Sequence, residues 1–236
     1  MKGILALLTV GSFGLNGISS LESAPDSMTR ERAHTTIHTY RGEVVGDLLS
    51  TIRSWAVSNY ISFPFLYVDQ GEELPHHIFR DDPHAFVLFA ERNGHKVGMF
   101  TALPLTSPLL DVNYSPLPYM DQIREQGFNP DQILYVASFL ISKEERQDKG
   151  LILRIYQQAV DLAKEMGKTQ ICYFTALYDD HHPLKPDPFV QPEPWDDLPS
   201  PFRSMGVAMD FTWPTLQADG SVKECVHPQA LYIQDI

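Results

Sequence analysis

Cysteine is nearly missing from this chain, with Cys172 and Cys225 its only two in 236 residues. So few exclude a disulfide scaffold and a cysteine-held metal site, and Cys172, set in an apolar run, reads as a small buried hydrophobe. Positive charge is also short: 18 Lys and Arg stand against 30 Asp and Glu, a formal net charge of -12. Such a field repels polyanions and argues against indiscriminate binding to nucleic acid or acidic membranes. No Gly-x-Ser-x-Gly elbow, His-Glu-x-x-His motif or Walker loop occurs, which removes the usual signatures of serine hydrolases, zinc proteases and P-loop enzymes. The apolar run Ile4 to Val10 after Lys2 is far too short to cross a bilayer. It has the charged and apolar parts of a short export signal without a clean Ala-x-Ala site, so residues 1–27 read either as a leader or as an upstream extension.

What remains is a globular composition, 43% hydrophobic and 20% charged, long enough for one large domain over 28–236. Thr35 to Tyr40 suits a short strand turning at Arg41-Gly42. Val44, Val45, Leu48, Leu49, Ile52 and Trp55 recur at helical spacing, so Glu43 to about Ser58 reads as an amphipathic helix. The apolar runs Ala85–Ala90 and Lys96–Leu103 flank Asn93-Gly94, a pair that tolerates the positive φ of a tight hairpin turn. From Asp179 the character changes. Seven prolines at 183, 186, 188, 192, 194, 199 and 201 rule out a regular helix and suggest an extended arm over 183–201. Gly206–Trp213 and Gln229–Ile233 suggest a terminal strand pair with Asp219-Gly220 in its connection.

The most informative stretch is Ile133 to Phe174. An apolar run to Ser142 meets the polar loop Lys143-Glu144-Glu145-Arg146-Gln147-Asp148-Lys149-Gly150, then a helical pattern, then a second apolar run, Ile171–Thr175. Leu151, Ile155, Ala159, Leu162 and Met166 form one stripe, while Arg154, Gln158, Asp161 and Lys164 fall away from it. Gly167 stands where a C-cap glycine belongs. Strand, helix and strand in this order make a parallel βαβ unit, and with the antiparallel hairpin before it they define a mixed α/β sheet flanked by helices. At the helix start, Gly150 lets the backbone approach a ligand, and the amides of Gly150 to Leu153 are expected to face an anion.

This order resembles the GNAT superfamily of acyl-CoA-dependent N-acyltransferases over roughly Thr35 to the C-terminus. Gln147-Asp148-Lys149-Gly150-Leu151-Ile152 is similar to that family's Gln/Arg-x-x-Gly-x-Gly/Ala pyrophosphate loop, with Ile152 in place of the customary small residue. Phe202-Arg203-Ser204-Met205-Gly206-Val207 stands where the family often has a helical turn with a tyrosine four residues before the glycine; here that position is Phe202, which has no proton to give.

The resemblance implies a GNAT-like fold and acetyl-CoA as co-substrate. It implies donor binding by Phe139, Leu140, Gln147, Lys149, Gly150, Leu151, Ile152, Leu153 and Phe202, with Val136 and Ala137 on the same strand. It also implies an amine acceptor, small molecule or peptide. Glu91, His181 and His182 are the candidates for proton transfer, histidine because it titrates near neutrality. Adjacent histidines are no metal signature, since neighbours on an extended chain face apart. The expected activity is N-acetyl transfer in the cytoplasm, without nucleic acid, metal or a membrane span. Two alternatives stand beside it: a catalytically weak acyl-CoA-binding module, and an exported, metal-assisted hydrolase using the His-Asp-rich loop.

Overall fold

The computed structural model describes residues 35–42, helical positions within 44–55, and residues 82–107, 120–145, 148–176, 202–216 and 221–236. The strands are β1 (Thr35–Tyr40), β2 (Phe86–Arg92), β3 (His95–Pro104), β4 (Ile133–Ile141), β5 (Gln170–Ala176), β6 (Arg203–Leu216) and β7 (Val222–Asp235). Helix α1 is Met120–Glu125 and helix α2 is Lys149–Glu165. All seven strands join one sheet in the order β1-β2-β3-β4-β5-β7-β6. Among the described residues only β4 and β5 pair in parallel, and α2 is their crossover. The sheet is therefore the expected mixed one, enlarged at one edge by two 14-residue strands.

Local chemistry explains most of the elements. Asn93 and Gly94 have φ of 54° and 76°, the conformation a two-residue hairpin loop needs, and they join β2 to β3. Helix α2 begins two residues before its apolar stripe because Asp148 caps it, and it ends where Gly167, at φ 72°, leaves the helical region.

Two apolar layers sandwich the sheet. On one face Val87, Phe89, Met99, Leu103, Tyr135, Cys172 and Leu231 pack with Met120 and Ile123 of α1. The helical positions of 44–55 cover the same face through Val45, Leu48 and Trp55, whose indole Nε1 donates to the Lys96 carbonyl at 3.3 Å. Val44, placed on the expected stripe, is 56% exposed instead. On the other face Leu88, Phe100, Ala102, Leu134 and Val136 meet Leu151, Ile155, Tyr156 and Ala159 of α2. Gly98 makes that contact close, since a Cβ there would lie 2.5 Å from Ile155 Cδ1.

Candidate active site

The parallel pair at the centre does not stay paired. Ile133, Leu134 and Tyr135 face Gln170, Ile171 and Cys172, and there the ladder ends. Both strands continue: β4 remains paired with β3 as far as Ile141, and β5 with β7 as far as Ala176. The two strands thus part into a wedge beyond Tyr135 and Cys172.

A β-bulge in β4 lies at the mouth of this wedge. Val136 pairs with Ala102 and Ser138 with Thr101, so Ala137 is left over between them. The extra residue shifts the alternation of the strand. Tyr135 and Ala137 face one layer, and Leu140 rather than Phe139 returns to it. A bulge bends a strand and increases its twist, and this one stands where the pairing of β4 with β5 ends. Phe139 and Leu140, both expected at the donor site, accordingly lie on opposite faces. Phe139 packs edge-on against Phe100 at 5.2 Å on the α2 side.

At the C-terminal end of β4 the chain makes a 3-10 turn over Lys143–Glu145 and enters α2 at Asp148. The expectation of open amides over Gly150 to Leu153 needs correction. Asp148 Oδ1 accepts from the Leu151 N–H at 2.9 Å, and the Asp148 carbonyl accepts from the N–H groups of Leu151 and Ile152 at 3.0 and 3.2 Å. A carboxylate already inside the chain takes the Leu151 N–H of this helix end, as an N-cap does. Burial pushes the Asp148 carboxyl up. The hydrogen bonds from Arg92 and the Leu151 N–H, with the charges of Arg92 and Arg154, outweigh burial and hold it below its ordinary range.

Lys149 and Gly150 are exposed at this end. Leu151 and Ile152 are buried in the α2 layer and their N–H groups are the ones Asp148 takes, so Ile152 fills core rather than loop. Leu153 is partly buried against the same layer. Gln147 and Arg146 lie outside the described residues, as do His181, His182, the proline-rich arm and residues 1–27.

Phe202 requires a second correction. It leads directly into β6 instead of sitting on a helical turn, since Arg203 already pairs with Ile233 of β7. Its ring stands edge-on to Tyr173 at 4.7 Å and 83°, and 6.4 Å from the ring of Tyr156. Tyr173 is the first residue of β5 past the last β4 pair, so this aromatic group borders the wedge on the α2 face. Neither phenol belongs to a sequence motif, and only the crossover brings Tyr156 of α2 and Tyr173 of β5 to Phe202. Burial, then the charge of a neighbouring phenol, pushes both hydroxyls up, and Tyr156 donates to Gln234 Oε1.

Glu91, near the end of β2, is held by Lys96 Nζ at 3.4 Å and His38 Nε2 at 3.6 Å. In the strand order β3 separates it from β4, so it stands about 10 Å from β4 on the side away from the wedge. Among the described residues no group of His, Cys, Asp and Glu could hold a metal ion, and no helix is long and apolar enough to cross a membrane.

No protein-family model and no curated protein matches the sequence. Solved structures do match the fold. The AHL synthase LasI superposes with a TM-score of 0.52 at 12% identity, covering 86% of this chain and 90% of that one. A probable acetyltransferase from Staphylococcus epidermidis ATCC 12228 superposes with a TM-score of 0.51 at 6% identity, covering 86% and 99%. A GCN5-related N-acetyltransferase from Kribbella flavida also matches, at 14% identity, 86% and 98% coverage and a TM-score of 0.47. The chain has the GNAT fold, a mixed central sheet flanked by helices. The resemblance read from the loop and helix therefore holds at the level of the fold.

Proposed function

We propose that the protein is an acyl-CoA-dependent N-acetyltransferase that moves the acetyl group of acetyl-CoA to an amine, of a small molecule or a peptide. One observation carries this reading: the β4–β5 ladder ends at Tyr135 and Cys172 while both strands run on. A parallel pair that opens beside a bulge offers strand backbone to an extended ligand, in the way a sheet edge takes an added strand. The pantetheine arm of CoA, an amide chain, suits such a wedge, and its diphosphate would reach the loop at the start of α2.

The chemistry asks little of the side chains. A neutral amine nitrogen attacks the thioester carbonyl, its C–S bond breaks, the amine loses one proton and the leaving thiolate gains one. Holding both reactants in the wedge supplies the proximity, and a backbone N–H of β4 near the bulge would stabilise the carbonyl oxygen as it gains charge. Of the candidates for proton transfer, Glu91 would have to act from its ion pair with Lys96 and its contact with His38, or His181 or His182 would act from the segment after β5.

A second reading, an acyl-CoA-binding module with little turnover, is favoured by the hold of Lys96 and His38 on Glu91 and by the absence of a hydroxyl at Phe202. One experiment separates the two. Acetyl-CoA is titrated calorimetrically, then thiol release is followed across a panel of polyamines, amino sugars, amino acids and peptides. Binding with amine-dependent thiol release supports the transferase, and binding without release across the panel supports the module. Absence of binding overturns both.

A further inference from the structure

Arg92, the last residue of β2, uses three nitrogens on three partners. Nε donates to Thr35 Oγ1 of β1 at 3.0 Å, Nη1 to Glu145 Oε2 at 2.5 Å, and Nη2 to Asp148 Oδ2 at 2.6 Å. The other oxygen of Asp148 is the one that caps α2. One guanidinium therefore links the β1–β2 edge of the sheet to both ends of the loop that enters α2. It is only partly exposed, at 19%, and so are Glu145 and Asp148. Its hydrogen bond to Asp148 and the charges of Glu145 and Asp148 raise its affinity for its proton despite burial.

This arrangement has a consequence for an anionic ligand. The turn and cap that a diphosphate would approach carry Glu145 and Asp148, with exposed Glu144 beside them, and uncompensated they would repel it. A planar guanidinium can bind two carboxylates at fixed positions at once, whereas an ammonium cannot reproduce that fork. We propose that Arg92 is a positioning residue for the donor's phosphates: it fixes Glu145 and Asp148 away from the approach and offsets one of their two negative charges, so that a diphosphate can settle at the start of α2. The proposal rests on the acyl-CoA reading above.

The test uses the full chain and two ligands, acetyl-CoA and acetyl-pantetheine, which carries the thioester without the diphosphate. Arg92→Met is expected to raise the KM for acetyl-CoA about tenfold at low salt with kcat little changed, and to leave the KM for acetyl-pantetheine as it was. The loss should shrink as salt screens the partly exposed carboxylates. Asp148→Asn keeps the cap, because Asn caps as well as Asp, and removes one charge; it should lower the KM for acetyl-CoA, and in Arg92→Met/Asp148→Asn most of the lost affinity should return. Arg92→Lys, which keeps the charge but not the fork, should fall between wild type and Arg92→Met and serves if the methionine variant folds poorly. A double variant as weak as Arg92→Met, or equal losses for the two ligands, would show a merely structural clamp and overturn the proposal. Wild-type protein that fails to bind acetyl-CoA would overturn the acyl-CoA reading itself.

Discussion

Phe202 stands edge-on against Tyr173, 4.7 Å between ring centroids, at the residue where β5 first runs free of β4. The contact joins the lead-in of β6 to the border of the wedge. An edge-to-face pair adds to the burial of both rings, so Phe202→Ala is expected to cost about 2 kcal/mol for a partly buried ring, read from the urea midpoint at unchanged m-value.

Phe202→Tyr is the informative companion. Because Tyr156 and Tyr173 already stand beside this ring, a third phenol should leave the rate of thiol release unchanged, measured before steady state with acetyl-CoA and amine saturating. A faster chemical step would show that the position lacks a proton donor that the neighbouring phenols do not replace.

Gly98 sets the distance between β3 and α2. A Cβ at this position would come within 2.5 Å of Ile155 Cδ1 and 3.1 Å of Ile141 Cδ1, both the ends of side chains that can move a little. Gly98→Ala should therefore cost roughly 1 kcal/mol and Gly98→Val up to about 3. Ile155→Val, which removes the offending methyl, should recover part of the loss in a double mutant measured by thermal unfolding. Additive losses in the pair would mean that the strain lies elsewhere.

Gly150 differs from Gly98. Its φ is outside the left-handed region, and a Cβ would meet only Asp148 Oδ1, at 3.3 Å. Gly150→Val should lower the affinity for acetyl-CoA more than it lowers stability, because the new side chain projects at an exposed helix start. Calorimetric titration beside thermal unfolding tests it, and unchanged affinity in a folded variant would remove this loop from the donor site.

Acid should act through Asp148. Its carboxyl lies below the ordinary value of 3.8 in the folded protein. A group with a depressed folded value contributes stability that is fully present above its unfolded value and is lost as pH falls through the folded one. The stability difference between wild type and Asp148→Asn should thus be constant above about pH 5 and change progressively as pH falls from there through the ordinary 3.8 toward the lower folded value. Urea titrations of both proteins across that range give the answer; parallel curves down to the lowest pH would show that Asp148 is not held as described.

Tyr156 works in the opposite direction. Its hydroxyl, raised by burial above its ordinary 10.0, donates to the buried Gln234. The stability it contributes is present below pH 10.0 and lost as pH rises toward the folded value. Tyr156→Phe should cost about 1–2 kcal/mol at neutral pH through the lost donor to Gln234, and should flatten the alkaline limb of the stability profile.

Much of this architecture was legible in the chain because it is decided within a few residues. Asn93-Gly94 specifies its hairpin through backbone conformation alone. The stripe from Leu151 to Met166 and the glycine after it specify α2 to within two residues at its start, and the alternation and apolar runs mark the central strands. The parts that make a site were not local. That β4 and β5 separate after Tyr135 depends on β3 and β7 holding the two strands on their outer edges, beside an extra residue at Ala137 that shows only against its partner strand. The cap on α2 is Asp148, a residue not marked as a cap in the sequence, and its carboxylate is fixed by Arg92, 56 residues earlier in the chain. Phe202 looked like part of a helical turn until the pairing of Arg203 with Ile233 drew it into an extended lead to β6. The sequence by itself determined which segments could be strand or helix, since that follows from periodicity and turn chemistry. The wedge, the charge clamp and the aromatic border were left to the tertiary structure, because register and ion pairing are chosen by partners distant in the chain.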